Sequence, residues 1–264
     1  MPRLGHDFPP GHVAIVRLYG PISGGPRVAD WIELVRRLRE SSRVPAVVLD
    51  IDSPGGSATA ADDMFLALER LAARKPLIAA IRGSGASGSY LAALASRTIV
   101  AQPHAIVGSI GVISVGPRLP RLLDRLGVSV TETRAGRLKG MGSPWREDSD
   151  EERAKEQAIV DAFYDGFVAR VAKGRRMDPA RARELATGEV WLGEEAVALG
   201  LVDEIGDLER AVEIAATAAG VPARAAPVRL RRPLFERLAG RFGAGLSAAV
   251  VDELDSRLRT RLWS

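Results

Sequence analysis

The chain has 264 residues, 46% of them hydrophobic, which is ample for a buried core and excludes a disordered protein. It contains no cysteine, so disulfides, thiolate metal sites and a cysteine nucleophile are excluded, and the composition fits a reducing cytoplasm. The net charge of +4 resides in residues 229 to 264, where eight arginines face four acids; a nucleic-acid protein would carry the excess on its main domain, so no nucleic-acid partner is expected.

Residues 1 to 11 read as an N-terminal arm without the apolar stretch of a signal peptide, and no segment approaches the roughly 18 apolar residues of a membrane span. HVAIVRL (12–18) reads as a strand, 27–40 as a helix, AVVLDI (46–51) as a strand and 60–73 as a helix. PLIAAI (76–81) and TIVA (98–101) read as strands around a helix at 87–95. IGVISV (110–115) and VSVTETR (128–134) are expected to be strands flanking a helix at 118–126. Near-continuous apolar strands alternating with helices predict an α/β fold around a mostly parallel sheet covered on both faces. A long helix is expected over 148–174, opening on acidic residues that suit its dipole, and short helices and turns follow to a boundary near 222. The main domain is thus placed at 12–222 and a basic amphipathic tail at 223–264. In the tail, Leu234, Phe235, Leu238 and Phe242 approximate one helical face. That face is expected either to touch an anionic membrane surface or to pack on the protein.

Two glycine-rich segments, DSPGGSA (52–58) and GSGASGS (83–89), fall at the carboxyl ends of the second and third strands, where ligands bind in such sheets. SPGG is either a simple turn or a source of free backbone N–H groups at Gly55 and Gly56. Ser87 opens a predicted helix and is either an N-cap or a nucleophile. His6 and His12 lie in or beside the arm and His104 follows a proline, so none makes a plausible base for a serine triad. Lys139 is the remaining candidate. The chain has only four lysines among its 37 basic residues, and Gly136, Gly140 and Gly142 around Lys139 suggest a closely packed loop. A lysine can serve as a base where burial or positive potential keeps it neutral, whereas arginine stays protonated.

Four runs in order, LDIDSPGGSA, ASGSYLAALASRTIVAQPHAIVGSIGVI, GVSVTETRAGRLKGMGSPWRE and GEVWLGEEAVALGLVDEIG, resemble the signal peptide peptidase A family of serine peptidases, also called the SohB or protease IV family. The resemblance spans about residues 12 to 215. It implies a ClpP/crotonase-like fold of repeated β-β-α or β-α units with a helical C-terminal part, and a Ser-Lys dyad that needs no metal or other cofactor. Ser87 falls at the nucleophile position, Lys139 at the general base and Ser109, in the G-S-I-G motif, at the serine that orients the lysine. Gly55, Gly56 and the N–H of Gly88 fall at the oxyanion hole. The implied substrates are peptides, either signal-peptide remnants or other short unfolded apolar segments. The implied assembly is a homo-oligomer whose active sites are shared between subunits. Two features depart from the family pattern: Ser89 and Leu91 stand where glycine and an aromatic residue are usual, which bears on pocket shape, and the membrane anchor of some members is not seen, which points to a soluble cytoplasmic form. The enoyl-CoA hydratase (crotonase) family is a rival resemblance, but it needs acids or bases such as glutamate lining the pocket and gives Lys139 no task. An inactive membrane-surface scaffold is a second rival, and the presence of both dyad residues counts against it.

Overall fold

The computed structural model describes residues 8–228. Strand β1 (Val13–Tyr19), helix α1 (Pro26–Glu40), strand β2 (Val47–Ser53), helix α2 (Ala58–Ala72), strand β3 (Leu77–Ala86), helix α3 (Gly88–Ala93) and strand β4 (Thr98–Ala101) follow in the expected order. Strand β5 (Ile106–Gly108), helices α4 (Pro120–Arg125), α5 (Asp150–Arg175) and α6 (Pro179–Leu185), strand β6 (Val190–Leu192), helix α7 (Gly193–Ala198), strand β7 (Glu204–Ile205), helix α8 (Leu208–Ala219) and strand β8 (Ala225–Pro227) complete it. The sheet runs β6-β5-β3-β2-β1-β8, with β4 joining β3 to β7. Its pairs are parallel except β5 with β6.

The period of two along each strand divides the core. Val47, Leu49 and Ile51 of β2 join Ala14, Val16 and Leu18 of β1 under α1 and α2. Val13 and Val48 point to the opposite face, which α8 covers with Ala211, Val212, Ala215 and Ala216. Lys75 stands half-buried where α1 ends, and its ammonium donates to the carbonyls of Leu38, Ser41 and Val44 at 2.6, 2.5 and 2.8 Å. Three converging acceptors suit a compact ammonium better than a planar guanidinium, which explains one lysine in an arginine-rich chain.

Three expectations need correction. Residues 110–115 and 128–134 are irregular rather than strands. Gly108 and Ser109 both have positive φ, at 108° and 50°, and turn the chain off the end of β5, leaving Ile113 and Val115 each 85% exposed. The sheet also continues past the expected boundary at 222: β8 pairs with β1, and the Val228 N–H donates to the Ile15 carbonyl at 2.9 Å. The rest of the tail, with its amphipathic face, and residues 1–7, with His6, lie outside the described residues. Among the described residues no helix is long and apolar enough to cross a membrane.

Candidate active site

Strand β3 carries the chain to the site in two steps. Its first half pairs with β4 and its second half with β5, and its register against β2 shifts between Ile51 and Ser53. The Asp52 carboxylate supports the shift by accepting the Ser84 N–H at 3.1 Å. Beyond Ala86 the backbone breaks sharply: Ser87 has φ 54° and ψ −124°, and α3 starts at the next residue. A non-glycine residue in such a sparsely populated conformation costs about 1–3 kcal/mol, so the surrounding contacts must hold it. They are the Ser87 N–H to the Gly108 carbonyl at 2.8 Å and the Leu91 N–H to the Ser87 carbonyl at 2.9 Å.

The three serines of this turn have separate tasks. Ser84 is tied through its backbone to Asp52. Ser89 is fully buried, and its hydroxyl lies 2.6 Å from the Ser53 carbonyl and 2.8 Å from that of Ala86. It therefore clamps the turn to the end of β2 and leaves the pocket wall to others. Ser87 occupies the cap position but makes no side-chain cap hydrogen bond, so its hydroxyl is uncommitted. An N-cap role thus does not account for it.

The SPGG segment folds against this turn. A Cβ on Gly55 would lie 2.7 Å from the Ala86 carbonyl oxygen and the Gly88 nitrogen, so only glycine fits there. The Gly55 N–H donates to the Ser53 hydroxyl at 3.2 Å. Gly56 is held from its neighbours instead: the Gly55 carbonyl accepts the Ile22 N–H at 2.7 Å, and the Ile22 carbonyl accepts the Ser57 N–H at 2.8 Å. No hydrogen bond occupies the Gly56 N–H among the described residues, and the Gly88 N–H lies in the first turn of α3, where donors lack intrahelical partners.

Ser87, Gly56, Gly88 and Ser109 line one cavity of about 690 Å³, walled on its apolar side by Leu91, Phe163 and Phe167. Ser109 has φ 50° and donates its N–H to the Glu189 carbonyl at 2.6 Å. Neither His12 nor His104 lines the cavity. Lys139 does not line it either; within one chain it is exposed on the 135–148 loop. The glycines beside it are less crowded than expected, because a Cβ on Gly142 would meet nothing within 4 Å and only Gly140 is tight, against the Glu132 carboxylate. The loop is instead fixed by charge. Buried Glu152 accepts two hydrogen bonds from Arg146, which also donates to the Gly140 carbonyl at 2.9 Å. Arg134 donates to the Lys139 carbonyl at 3.2 Å, and the Ser149–Glu152 capping box starts α5 immediately behind. Arg146, with help from the Ser149 N–H, holds the Glu152 carboxyl down at about 2. From the sequence Glu152 was legible only as one of the acidic residues opening the long helix; its hold on the loop was not, although the S-x-x-E pattern was the visible signal of its capping box.

Peptidase family S49 matches residues 69–222. A protease candidate of Synechocystis sp. is 34% identical over 233 residues, 86% of this chain and 83% of that protein. The chloroplastic serine protease SPPA of Arabidopsis thaliana is 35% identical over 90% of this chain, and Protease 4 of Haemophilus influenzae 32% identical over 80%. The chain spans only 36% and 35% of those two longer proteins.

Proposed function

Because this chain belongs to peptidase family S49, we propose that it hydrolyses peptide bonds through a dyad of Ser87 and Lys139, the lysine supplied by a neighbouring copy of the chain. The observation that carries the reading is Ser87 itself, a strained, uncapped serine at the wall of a cavity beside two unoccupied N–H groups. In the first step the Ser87 hydroxyl attacks the scissile carbonyl and passes its proton to the Lys139 amine. The Gly56 and Gly88 N–H groups hold the resulting oxyanion. Lys139 then protonates the leaving amine, and water releases the acyl group by the same route in reverse. Ser109, on the same cavity wall, orients the lysine. The apolar wall of Leu91, Phe163 and Phe167 suits unfolded apolar segments such as signal-peptide remnants.

Two facts favour a lysine from a second subunit. Lys139 is exposed and away from its own chain's cavity, whereas a neutral lysine needs burial or positive potential. The segment leading to it also exposes Ile113, Val115 and Leu126 at 85%, 85% and 65%, more apolar surface than a solvated loop needs. An acyl-CoA reading gains no support from the cavity, since among its lining residues the only carboxylate, Asp62, is paired with Arg170. Mixing inactive Ser87→Ala and Lys139→Ala proteins tests the proposal. Partial recovery of peptide hydrolysis is expected, because some interfaces then join an intact serine to an intact lysine. A mixture that stays inactive while its subunits demonstrably exchange would place both residues of the site in one chain.

A further inference from the structure

Charge in the cavity beside Ser87 is confined to one pair. Among its lining residues only Asp62, on α2, and Arg170, on α5, are charged, and they form an ion pair with each other. Their side chains remain 32% and 26% exposed, so both stay within reach of a bound ligand. The Arg170 guanidinium also lies over the Phe65 ring, 4.6 Å from its centroid, which fixes its plane. Phe163, Phe167 and Arg170 follow one another at helical spacing, so two residues of the apolar wall and the arginine of the pair share one face of α5, with Asp62 facing them from α2.

We propose that Asp62 and Arg170 determine specificity at this cavity by cancelling each other, so that it accepts neutral substrate side chains and excludes both acidic and basic ones. A charged side chain entering the cavity leaves water for a largely apolar wall, and only an unpaired opposite charge would offset that loss. Here each charge is already satisfied by its partner, and each repels one sign. Removing one partner turns the other into a ready counter-charge, and selectivity by sign should appear where the intact pair has none. The inference rests on the reading that Ser87 cleaves the peptide held in this cavity.

The test uses the full-length protein and peptides that differ only in carrying leucine, lysine or glutamate at each position around the scissile bond in turn. For the unaltered protein, kcat/KM should fall with both charged residues at one position, the one seated in the cavity. At that position Arg170→Met should raise the lysine-to-glutamate ratio about fivefold and Asp62→Asn should lower it about fivefold, the upper range for a partly exposed ion pair. The reversed pair, Asp62→Arg with Arg170→Asp, should return the ratio to its starting value, which separates charge from misfolding. Each result is a ratio between two peptides on one variant, so a general loss of activity cancels. Where turnover is absent, the same ratio is read from peptide binding by fluorescence anisotropy. Single variants that shift the ratio in the same direction, or leave it unchanged, overturn the proposal. Turnover that survives Ser87→Ala removes instead the nucleophile assignment beneath it.

Discussion

Replacing Gly55 by alanine measures how tightly the SPGG segment is built around Ser87. Gly55 has φ 89°, and a methyl group there would lie 2.7 Å from the Ala86 oxygen and the Gly88 nitrogen and 2.8 Å from the Ser87 Cβ. Gly20 is its natural control, with φ 72° and nothing within 4 Å. Gly20→Ala therefore carries only the strain of a left-handed backbone, about 1–2 kcal/mol. Gly55→Ala adds overpacking against main chain that cannot rotate away, about 1–3 kcal/mol more, for a total of about 2–5 kcal/mol. Guanidinium unfolding should show the difference as a lower midpoint at unchanged slope. The same intrusion moves the Gly88 and Gly56 donors relative to Ser87, and a displacement near 1 Å costs on the order of 100-fold in turnover. Gly20→Ala should keep its turnover. If Gly55→Ala proves as stable and as active as Gly20→Ala, the close fit between the two glycine-rich turns is not what holds the site.

Three further outcomes follow from the same contacts. Lys139→Arg should be as inactive in peptide hydrolysis as Lys139→Ala, because a guanidinium keeps the charge but does not accept the proton; an active arginine variant would show that only charge is needed. Glu152 ionises at about 2 in the folded protein, below the ordinary 4.5, so its hold on the lysine loop is complete above 4.5 and is lost as pH falls from there toward 2. Hydrogen-exchange protection of residues 136–148 should fall over that window, and in Glu152→Gln it should be low already at neutral pH; equal protection in both proteins would remove Glu152 from the loop's support. Lys75→Ala leaves the carbonyls of Leu38, Ser41 and Val44 without their donor, and the stability to unfolding should drop by about 1–3 kcal/mol. Lys75→Arg should recover only part of that loss, and full recovery would contradict the argument from ammonium shape.

The elements that the sequence made legible are those whose hydrophobic period is complete within the chain. β2 and the first half of β3 bury both faces and read as apolar runs, β1 buries one face throughout, and α2 and α8 each show one apolar stripe. VSVTETR misled because alternation marks a strand only where a partner exists, and no neighbouring strand receives residues 128–134 among the described residues. β6 and β7 were not read because they are only three and two residues long, held by pairing rather than by composition. Within the site, glycine spacing pointed to the Ser87 turn, but it did not separate Gly55 from Gly56. That distinction depends on the Ser53 hydroxyl, which reaches forward two residues to occupy one N–H and leaves the next one open. Asp62 and Arg170 are 108 residues apart and carry no motif, so only the fold, which lets long side chains of α5 reach across to α2, brings them together.

The positive φ values at Ser87 and Ser109, 54° and 50°, set a trap for anyone improving this protein by selection. Relief of left-handed strain by glycine gains about 1–2 kcal/mol, against an entropic loss of roughly 0.5–1 kcal/mol. A library sorted for folded, heat-resistant chains will therefore enrich glycine at 87 and 109, and its winners will lack both serine hydroxyls. Under the proposed dyad, stability and catalysis compete for the same two backbone positions, so a useful screen has to score turnover in every round.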